Sequence, residues 1–157
     1  MIESPIPQPV SPDSPGARRL VALSDEYLAA LYPPESNHLL TLEALRLPGV
    51  CFLGIEVDGE LVACGAVKQL DDGSAYGEIK RVFVLPGYRG RGYARRIVLA
   101  LERELRRCGI RLVRLETGIS QPEAIALYRG LGYQERGPFG SYQLDRWSIF
   151  MEKELDP

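Results

Sequence analysis

Residues 82–94 read Val-Phe-Val-Leu-Pro-Gly-Tyr-Arg-Gly-Arg-Gly-Tyr-Ala, an apolar run that leads into a loop rich in glycine and arginine. From there onward, apolar residues recur at positions 94, 97, 98, 101 and 105, the spacing of one face of an α-helix. The first turn of a helix leaves backbone N–H groups unpaired, and Gly90 and Gly92 lack a Cβ, so a bulky anion can approach the backbone closely. Four arginines add positive charge there: Arg89, Arg91, Arg95 and Arg96. The stretch therefore predicts a strand, a phosphate-binding loop and a helix, in that order.

This loop differs from the two commonest phosphate-binding loops. The sequence contains no G-x-x-x-x-G-K-[ST], which argues against a P-loop nucleotide site. Its glycines do not form G-x-G-x-x-G, and no acidic residue follows about 20 positions later to bind a ribose. Arg89-x-x-Gly92-x-Ala94 instead resembles the R/Q-x-x-G-x-G/A motif of the GNAT acyltransferase superfamily. That resemblance implies that the loop and the helix N-terminus bind the pyrophosphate of acetyl-CoA.

A second stretch, residues 121–133, resembles the other GNAT signature, N-x-x-A-x-x-L-Y-x-x-x-G-F/Y. Five positions match it: Ala124, Leu127, Tyr128, Gly132 and Tyr133. Gln121 stands where asparagine is usual and offers the same polar groups on a longer side chain. Residues 33–38 together with residues 77–80 look like those of a bacterial subgroup of N-acetyltransferases.

The order of the predicted elements indicates a mixed α/β fold. A strand over residues 76–84, a helix over 91–108 and a strand over 110–116 predict a right-handed crossover between parallel strands. The family resemblance implies a central mixed sheet of about six to seven strands flanked by helices, with this parallel βαβ unit as the acetyl-CoA site. We expect one GNAT acetyltransferase domain over residues 14–157, behind a flexible proline-rich tail at residues 1–13.

Further elements follow from caps and turns. Ser14-Pro15 fits the start of a helix that ends before Pro33, and Thr41 is expected to cap a short helix through Leu45. A further helix is expected from about Pro122, where Ser120 and Glu123 have capping-box spacing. The remaining strands are expected at residues 50–57, 60–70, 133–136 and 147–153. Asp58-Gly59 predicts a two-residue hairpin turn, and Gly109 predicts the end of the long helix.

The resemblance implies that Tyr128 is the general acid. A thiol has a pKa near ~8.5 and tyrosine near ~10, so tyrosine is protonated at neutral pH and can donate a proton to the departing CoA thiolate. Its helical spacing equally fits a core aromatic, and both roles are compatible because tyrosine can bury its ring and expose its hydroxyl. Glu78 is the first candidate for the base that deprotonates the amine, Glu116 is the second, and a water relay is a third. Strand parity does not decide between them, because a β-bulge would reverse the face that Glu78 uses.

The resemblance also implies which residues bind the cosubstrate. The two parallel strands are expected to splay, so that the pantetheine amides pair with the backbone of residues 82–84 and a backbone N–H polarises the thioester. The predicted acetyl-CoA contacts are Val82, Phe83, Val84, Arg89, Gly90, Arg91, Gly92, Tyr93, Ala94, Arg95, Gln121 and Tyr128. Glu35 and His38 are candidates for the acceptor pocket because of their place in a polar loop.

Charge is unevenly distributed along the chain. The net charge is −2, yet the segment from Lys80 to Arg114 holds eleven Lys or Arg and only two acidic residues, which leaves the remainder strongly acidic. A basic region opposite an acidic one suggests an anionic ligand on one side and a cationic acceptor on the other. One histidine and three scattered cysteines offer little for a metal site, so no metal is expected. With no apolar run near ~20 residues and no visible signal peptide, we expect a cytoplasmic protein with no membrane partner.

Three functions remain to be distinguished. The first is acetyl transfer from acetyl-CoA to a primary amine, small molecule or peptide, by direct attack, since neither motif contains a cysteine that could carry the acyl group. The second is a non-catalytic module that binds acyl-CoA and regulates a partner. A nucleic-acid surface is disfavoured, because the basic segment lacks interleaved aromatics and the whole chain is acidic. The oligomeric state is left open, a homodimer being one alternative.

Overall fold

The computed structural model describes residues 5–157, which form one seven-stranded sheet and four α-helices. The strands, β1 to β7, are Gln8–Pro9, Val50–Val57, Glu60–Asp71, Ala75–Val84, Leu112–Gly118, Gln134–Arg136 and Ser148–Glu154. The helices, α1 to α4, are Pro15–Leu31, Leu42–Leu45, Tyr93–Arg107 and Pro122–Gly130. The predicted mixed α/β fold is confirmed. No helix in the described part of the chain is long and apolar enough to cross a membrane.

The sheet places one exposed loop at the carboxyl end of its middle strand, β4. Its order is β1-β2-β3-β4-β5-β7-β6, and neighbours are antiparallel except β4 and β5, which are parallel. β4, α3 and β5 are therefore the predicted crossover, and residues 85–92 connect the carboxyl end of β4 to α3. Glycines let α3 lie close to the sheet: a Cβ on Gly65 would be 2.4 Å from Ile97, and one on Gly77 would be 2.5 Å from Leu105. This close packing fixes the direction in which the N-terminus of α3 points.

Several local signals are confirmed. The Ser14 hydroxyl accepts a hydrogen bond from the Ala17 N–H at 3.2 Å at the start of α1, and Thr41 caps α2 in the same way. Asp58 and Gly59 both have positive φ, 52° and 79°, as a type I′ hairpin turn requires. The capping box predicted for α4 is wrong: Gln121 is the N-cap residue and makes no side-chain cap.

The N-terminal segment differs from the free tail that its prolines predict. Residues 1–4 lie outside the described part of the chain. Gln8–Pro9 pairs antiparallel with β2, and the Val10 N–H donates to the Phe52 carbonyl at 3.2 Å. These residues form a short edge strand, and proline is tolerated there because an outer strand needs few backbone donors.

A β-bulge and a splay shape β4. Arg81 has a φ of +61°, and the pairing with β3 passes from Cys64–Phe83 to Ala66–Lys80, so β4 holds one extra residue opposite Gly65. Pairing between β4 and β5 ends at Ile79–Leu115, although both strands continue. The predicted bulge and the predicted splay are therefore both present, and the second half of β4 has an open edge towards β5.

Candidate active site

A cleft of about 680 Å³ opens where β4 and β5 separate. Its walls come from α1, the segment before α2, β4, the start of α3, the end of β5, α4 and the loop before β7. Most residues predicted from the motifs line it: Glu78, Val82, Phe83, Val84, Arg89, Gly90, Gly92, Tyr93, Ala94, Arg95, Gln121 and Tyr128. The fold thus brings both motifs to one site, although they lie on different helices.

The first turn of α3 presents a row of uncommitted amides. Backbone N–H groups of residues 90–95 donate no hydrogen bond to any other described residue, and the first bond of the helix is Arg96 N–H to the Gly92 carbonyl at 3.1 Å. Gly90 and Gly92 have φ values of 79° and 82°, which suit glycine, and no atom lies within 4 Å of where their Cβ would be. Unpaired amides at a helix N-terminus are suited to binding an anion.

The arginines of the loop divide into two groups. Arg95 lines the cleft, as does Arg89, whose guanidinium stacks on the rings of Tyr27 and Phe83 at 5.3 and 5.6 Å. The side chain of Arg91 lies outside the cleft, where it contacts the Gly87 carbonyl at 3.3 Å. Arg91 is thus a predicted cosubstrate residue that does not line the cleft, and its contact with acetyl-CoA stays a prediction.

The open edge of β4 offers backbone groups to a ligand. The Leu85 N–H donates to the Val62 carbonyl at 2.9 Å, so Leu85 points its backbone towards β3. Since successive residues of a strand point their backbone groups to opposite sides, Val84 faces the open edge. The Val84 carbonyl accepts a hydrogen bond from Arg89 Nε at 3.0 Å. The Val84 N–H points to the same open edge and is available to a ligand.

The buried side chain of Arg81 holds the β4 bulge in place. Its side chain is only 3% exposed, and the guanidinium forms an ion pair with Asp25 of α1 at 2.6 Å. It also donates to the Leu40 carbonyl at 2.8 Å and the Ser24 hydroxyl at 3.3 Å. The bulged residue therefore joins β4 to α1 and to the segment before α2, two further walls of the cleft.

Tyr128 has a buried ring and an uncommitted hydroxyl. The residue is 6% exposed, and its ring packs edge-on against that of Tyr133 at 5.7 Å. Its hydroxyl forms no hydrogen bond with another described residue and is not fully enclosed, because Tyr128 lines the cleft. Burial, with a smaller contribution from the Glu116 carboxylate, raises the pKa of Tyr128, so the phenol is protonated at neutral pH. Both sequence interpretations of this residue, core aromatic and cleft donor, fit its position.

Glu78 lies in a polar cluster that the sequence did not reveal. One oxygen of its buried carboxylate accepts hydrogen bonds from Tyr142 at 2.5 Å and from Lys80 at 3.2 Å. Lys80 also donates to the Tyr142 hydroxyl at 2.8 Å. Burial and the neighbouring Glu78 raise the pKa of Tyr142, which keeps that hydroxyl a donor. One carboxylate oxygen of Glu78 is therefore shared between two donors, whereas the other has no hydrogen-bond partner among the described residues.

Glu116 has a simpler environment. It lines the cleft near the end of β5, and one carboxylate oxygen accepts a hydrogen bond from the Ser148 hydroxyl at 2.8 Å. Burial raises the pKa of Glu116 above that of an exposed glutamate, and this effect outweighs the hydrogen bond. A carboxylate with a raised pKa is the better proton acceptor near neutral pH.

The other predicted residues have mixed outcomes. The Gln121 side-chain oxygen accepts hydrogen bonds from the Tyr32 hydroxyl at 3.0 Å and the Gly118 N–H at 3.3 Å, so only its NH₂ group remains for a ligand. His38 lines the cleft and packs edge-on against Tyr142 at 5.1 Å. Glu35 is exposed and does not line the cleft. Within residues 5–157, no group of three or more His, Cys, Asp or Glu could hold a metal ion.

Comparisons with known proteins agree with the geometry. The family model described as acetyltransferase (GNAT) family matches residues 17–133. The IAA acetyltransferase of Azospirillum brasilense is 46% identical over 145 residues, which cover 92% of this chain and 94% of that protein. An uncharacterized N-acetyltransferase of Bacillus subtilis, YsnE, is 36% identical over 88% of this chain and 93% of its own length.

The fold also matches solved structures. The crystal structure of PaiA N-acetyltransferase from Thermoplasma acidophilum, in complex with coenzyme A, has a TM-score of 0.72. The match covers 97% of this chain and 99% of that one at 19% identity, a level that shows the shared fold alone.

Proposed function

The chain belongs to the acetyltransferase (GNAT) family and is an acyltransferase, and we propose that it transfers the acetyl group of acetyl-CoA to a primary amine by direct attack. One observation carries this proposal: the six consecutive amides of residues 90–95, at the N-terminus of α3, are free of hydrogen bonds within the described chain, and all of these residues except Arg91 line the same cleft as Tyr128. The amides suit the pyrophosphate, and the open edge of β4 suits the pantetheine arm.

The chemistry needs two proton transfers and no acyl-enzyme. The amine nitrogen attacks the thioester carbon, the C–N bond forms, the C–S bond breaks, and the thiolate leaves with the electron pair. Tyr128 gives its proton to the thiolate, and a carboxylate takes the proton that the amine loses. Glu116 is the base that the environments favour, because Glu78 is already shared by Lys80 and Tyr142. The Val84 N–H is placed to polarise the thioester carbonyl.

A turnover screen tests the proposal. Purified protein with acetyl-CoA is screened against amino acids, alkylamines, polyamines, aminoglycosides and peptides, with release of free CoA thiol and acetylated product both measured. We expect acetyl-CoA-dependent product with at least one amine class. Tight CoA binding without product over the whole panel would contradict the proposal and favour an acyl-CoA-binding regulatory module.

A further inference from the structure

A second cavity adjoins the cleft at its acceptor end. Its volume is about 410 Å³, and it lies on the part of β4 that precedes the bulge. Both cavities share the same wall: residues 37–40, Glu78, Lys80 and Tyr142. The two cavities therefore adjoin along this wall, and Tyr142 lines both of them.

The second cavity is cationic. Lys68 of β3 lies opposite Glu78 in the antiparallel register, so both side chains project from the same face of the sheet. The other two lysines of the chain pair with Glu78 and Glu102, whereas the half-buried Lys68 has no ionic or hydrogen-bonded partner among residues 5–157. Among the described residues, Glu78 is the one carboxylate that lines this cavity, and Lys80 and Tyr142 already hydrogen-bond to it.

The two ends of the acceptor region therefore differ in charge. Glu116 lines the cleft, where the thioester is expected to bind, and its carboxylate suits an amine. Lys68 lines the second cavity, and its ammonium group suits an anion. Along β4, Val82 at the open edge and Glu78 at the second cavity are four residues apart, roughly 13 Å along a strand, which sets the length scale of an acceptor that would reach from one to the other.

We infer that the second cavity binds the carboxylate of the acceptor, so that the preferred substrates are amino acids whose amine enters the cleft while their carboxylate meets Lys68. This inference rests on the proposed function and names the substrate class of the same site. It replaces the expectation of a cationic acceptor, which came from the acidic remainder of the sequence. The local charge of the pocket, and not the charge of the rest of the chain, determines which acceptor binds. Asn37 and Ser141, which line the same cavity as Lys68, add neutral polar groups for a carboxylate.

Matched acceptors and matched variants test the inference. Linear ω-amino acids of increasing length are compared with alkylamines of the same carbon number, and the ratio of their kcat/KM values is measured. Lys68→Gln should lower that ratio about ten-fold or more, mainly through KM, because a charge-assisted hydrogen bond is lost. Lys68→Arg should restore most of it. The control is Arg103→Gln, which removes a charge from an exposed position on α3 and should leave the ratio unchanged.

A binding experiment keeps the inference separate from the proposed function. Straight-chain carboxylates without an amine are titrated into the protein in the presence of CoA, which requires no turnover. Saturable binding that weakens about ten-fold in Lys68→Gln supports the inference even when no amine reacts. Acetylation of alkylamines or polyamines in preference to ω-amino acids, with a ratio that Lys68→Gln does not change, would overturn it while leaving acetyl transfer intact.

Discussion

At the scale of single residues, substitution of Tyr128 tests whether this residue is the general acid. Its ring is held in the core and its hydroxyl contacts no other described residue, so Tyr128→Phe should leave the fold intact. We expect kcat to fall roughly 100-fold or more, the usual contribution of a general acid, while CoA affinity stays nearly constant. Release of CoA thiol and calorimetric titration measure the two quantities. Unchanged turnover in this variant would remove Tyr128 from the mechanism.

The two carboxylates can be told apart by the pH dependence of the rate. Burial raises the pKa of Glu116, so the acidic limb of the rate profile should rise with pH at values above the ordinary pKa of glutamate. Glu116→Gln should remove that limb and lower kcat by roughly 100-fold or more, whereas Glu78→Gln should cost much less. The opposite order of the two losses, at saturating amine, would make Glu78 the base.

The same raised pKa has a consequence for stability. The folded protein keeps the Glu116 proton to a higher pH than the unfolded chain does, so stability is lost as pH rises from the ordinary pKa through the raised one. Replacing the ionisable group removes this loss. Glu116→Gln should therefore have a higher Tm than the parent at pH 7, and the difference should shrink near pH 4. A difference that grows towards low pH would contradict the burial effect.

Residue patterns predicted which residues line the cleft better than they predicted the contacts around those residues. The Tyr128 and α3 motifs identified their positions because each depends on residues close together in the sequence. Tyr142 and Lys80, which bind Glu78, are 62 residues apart, and no local signal predicts that contact. The raised pKa of Glu116 likewise depends on burial beside β7, which the sequence of β5 alone does not encode.

At the scale of elements, the bulge of β4 depends on one buried arginine. Arg81→Met keeps most of the apolar volume but removes the ion pair with Asp25 and leaves the Leu40 carbonyl without its donor. We expect the free energy of unfolding to fall by about 2–3 kcal/mol, measured by urea denaturation. Arg103→Met, at an exposed position on α3, is the control and should change it by less than about 0.5 kcal/mol. Equal, small losses in both variants would show that Arg81 does not secure the bulge.

The sequence predicted the boundaries of helices and strands correctly where a local cap or turn sets them. Ser14, Thr41 and Asp58-Gly59 each predicted a cap or turn that is present, because those signals act within a few residues. The strand at Gln8–Pro9 was missed because its partner on β2 lies more than 40 residues away in the chain. The capping box predicted from Ser120 and Glu123 is absent because α4 begins one residue later, with Gln121 as its N-cap residue, and the Gln121 side chain binds Tyr32 and Gly118 instead of capping the helix.

At the scale of the whole molecule, the separation of β4 and β5 predicts strong stabilisation by CoA. A ligand that bridges this gap binds the folded state alone, so CoA at 100 times its Kd should add about 2.7 kcal/mol of stability. For a chain of this length that corresponds to an increase in Tm of about 5–10 °C. The increase should shrink with added salt, because arginines surround the loop. A Tm that stays constant at saturating CoA would contradict a site between the strands.

The central claim is that the amides of residues 90–95 bind the pyrophosphate of the cosubstrate. Titration of ¹⁵N-labelled protein with CoA, followed by amide NMR shifts, tests it directly because each backbone group reports separately. We predict that these six amides show the largest shifts, that they saturate together, and that pantetheine without the pyrophosphate leaves them nearly unmoved. CoA binding that saturates while these amides keep their free-state shifts would contradict the account.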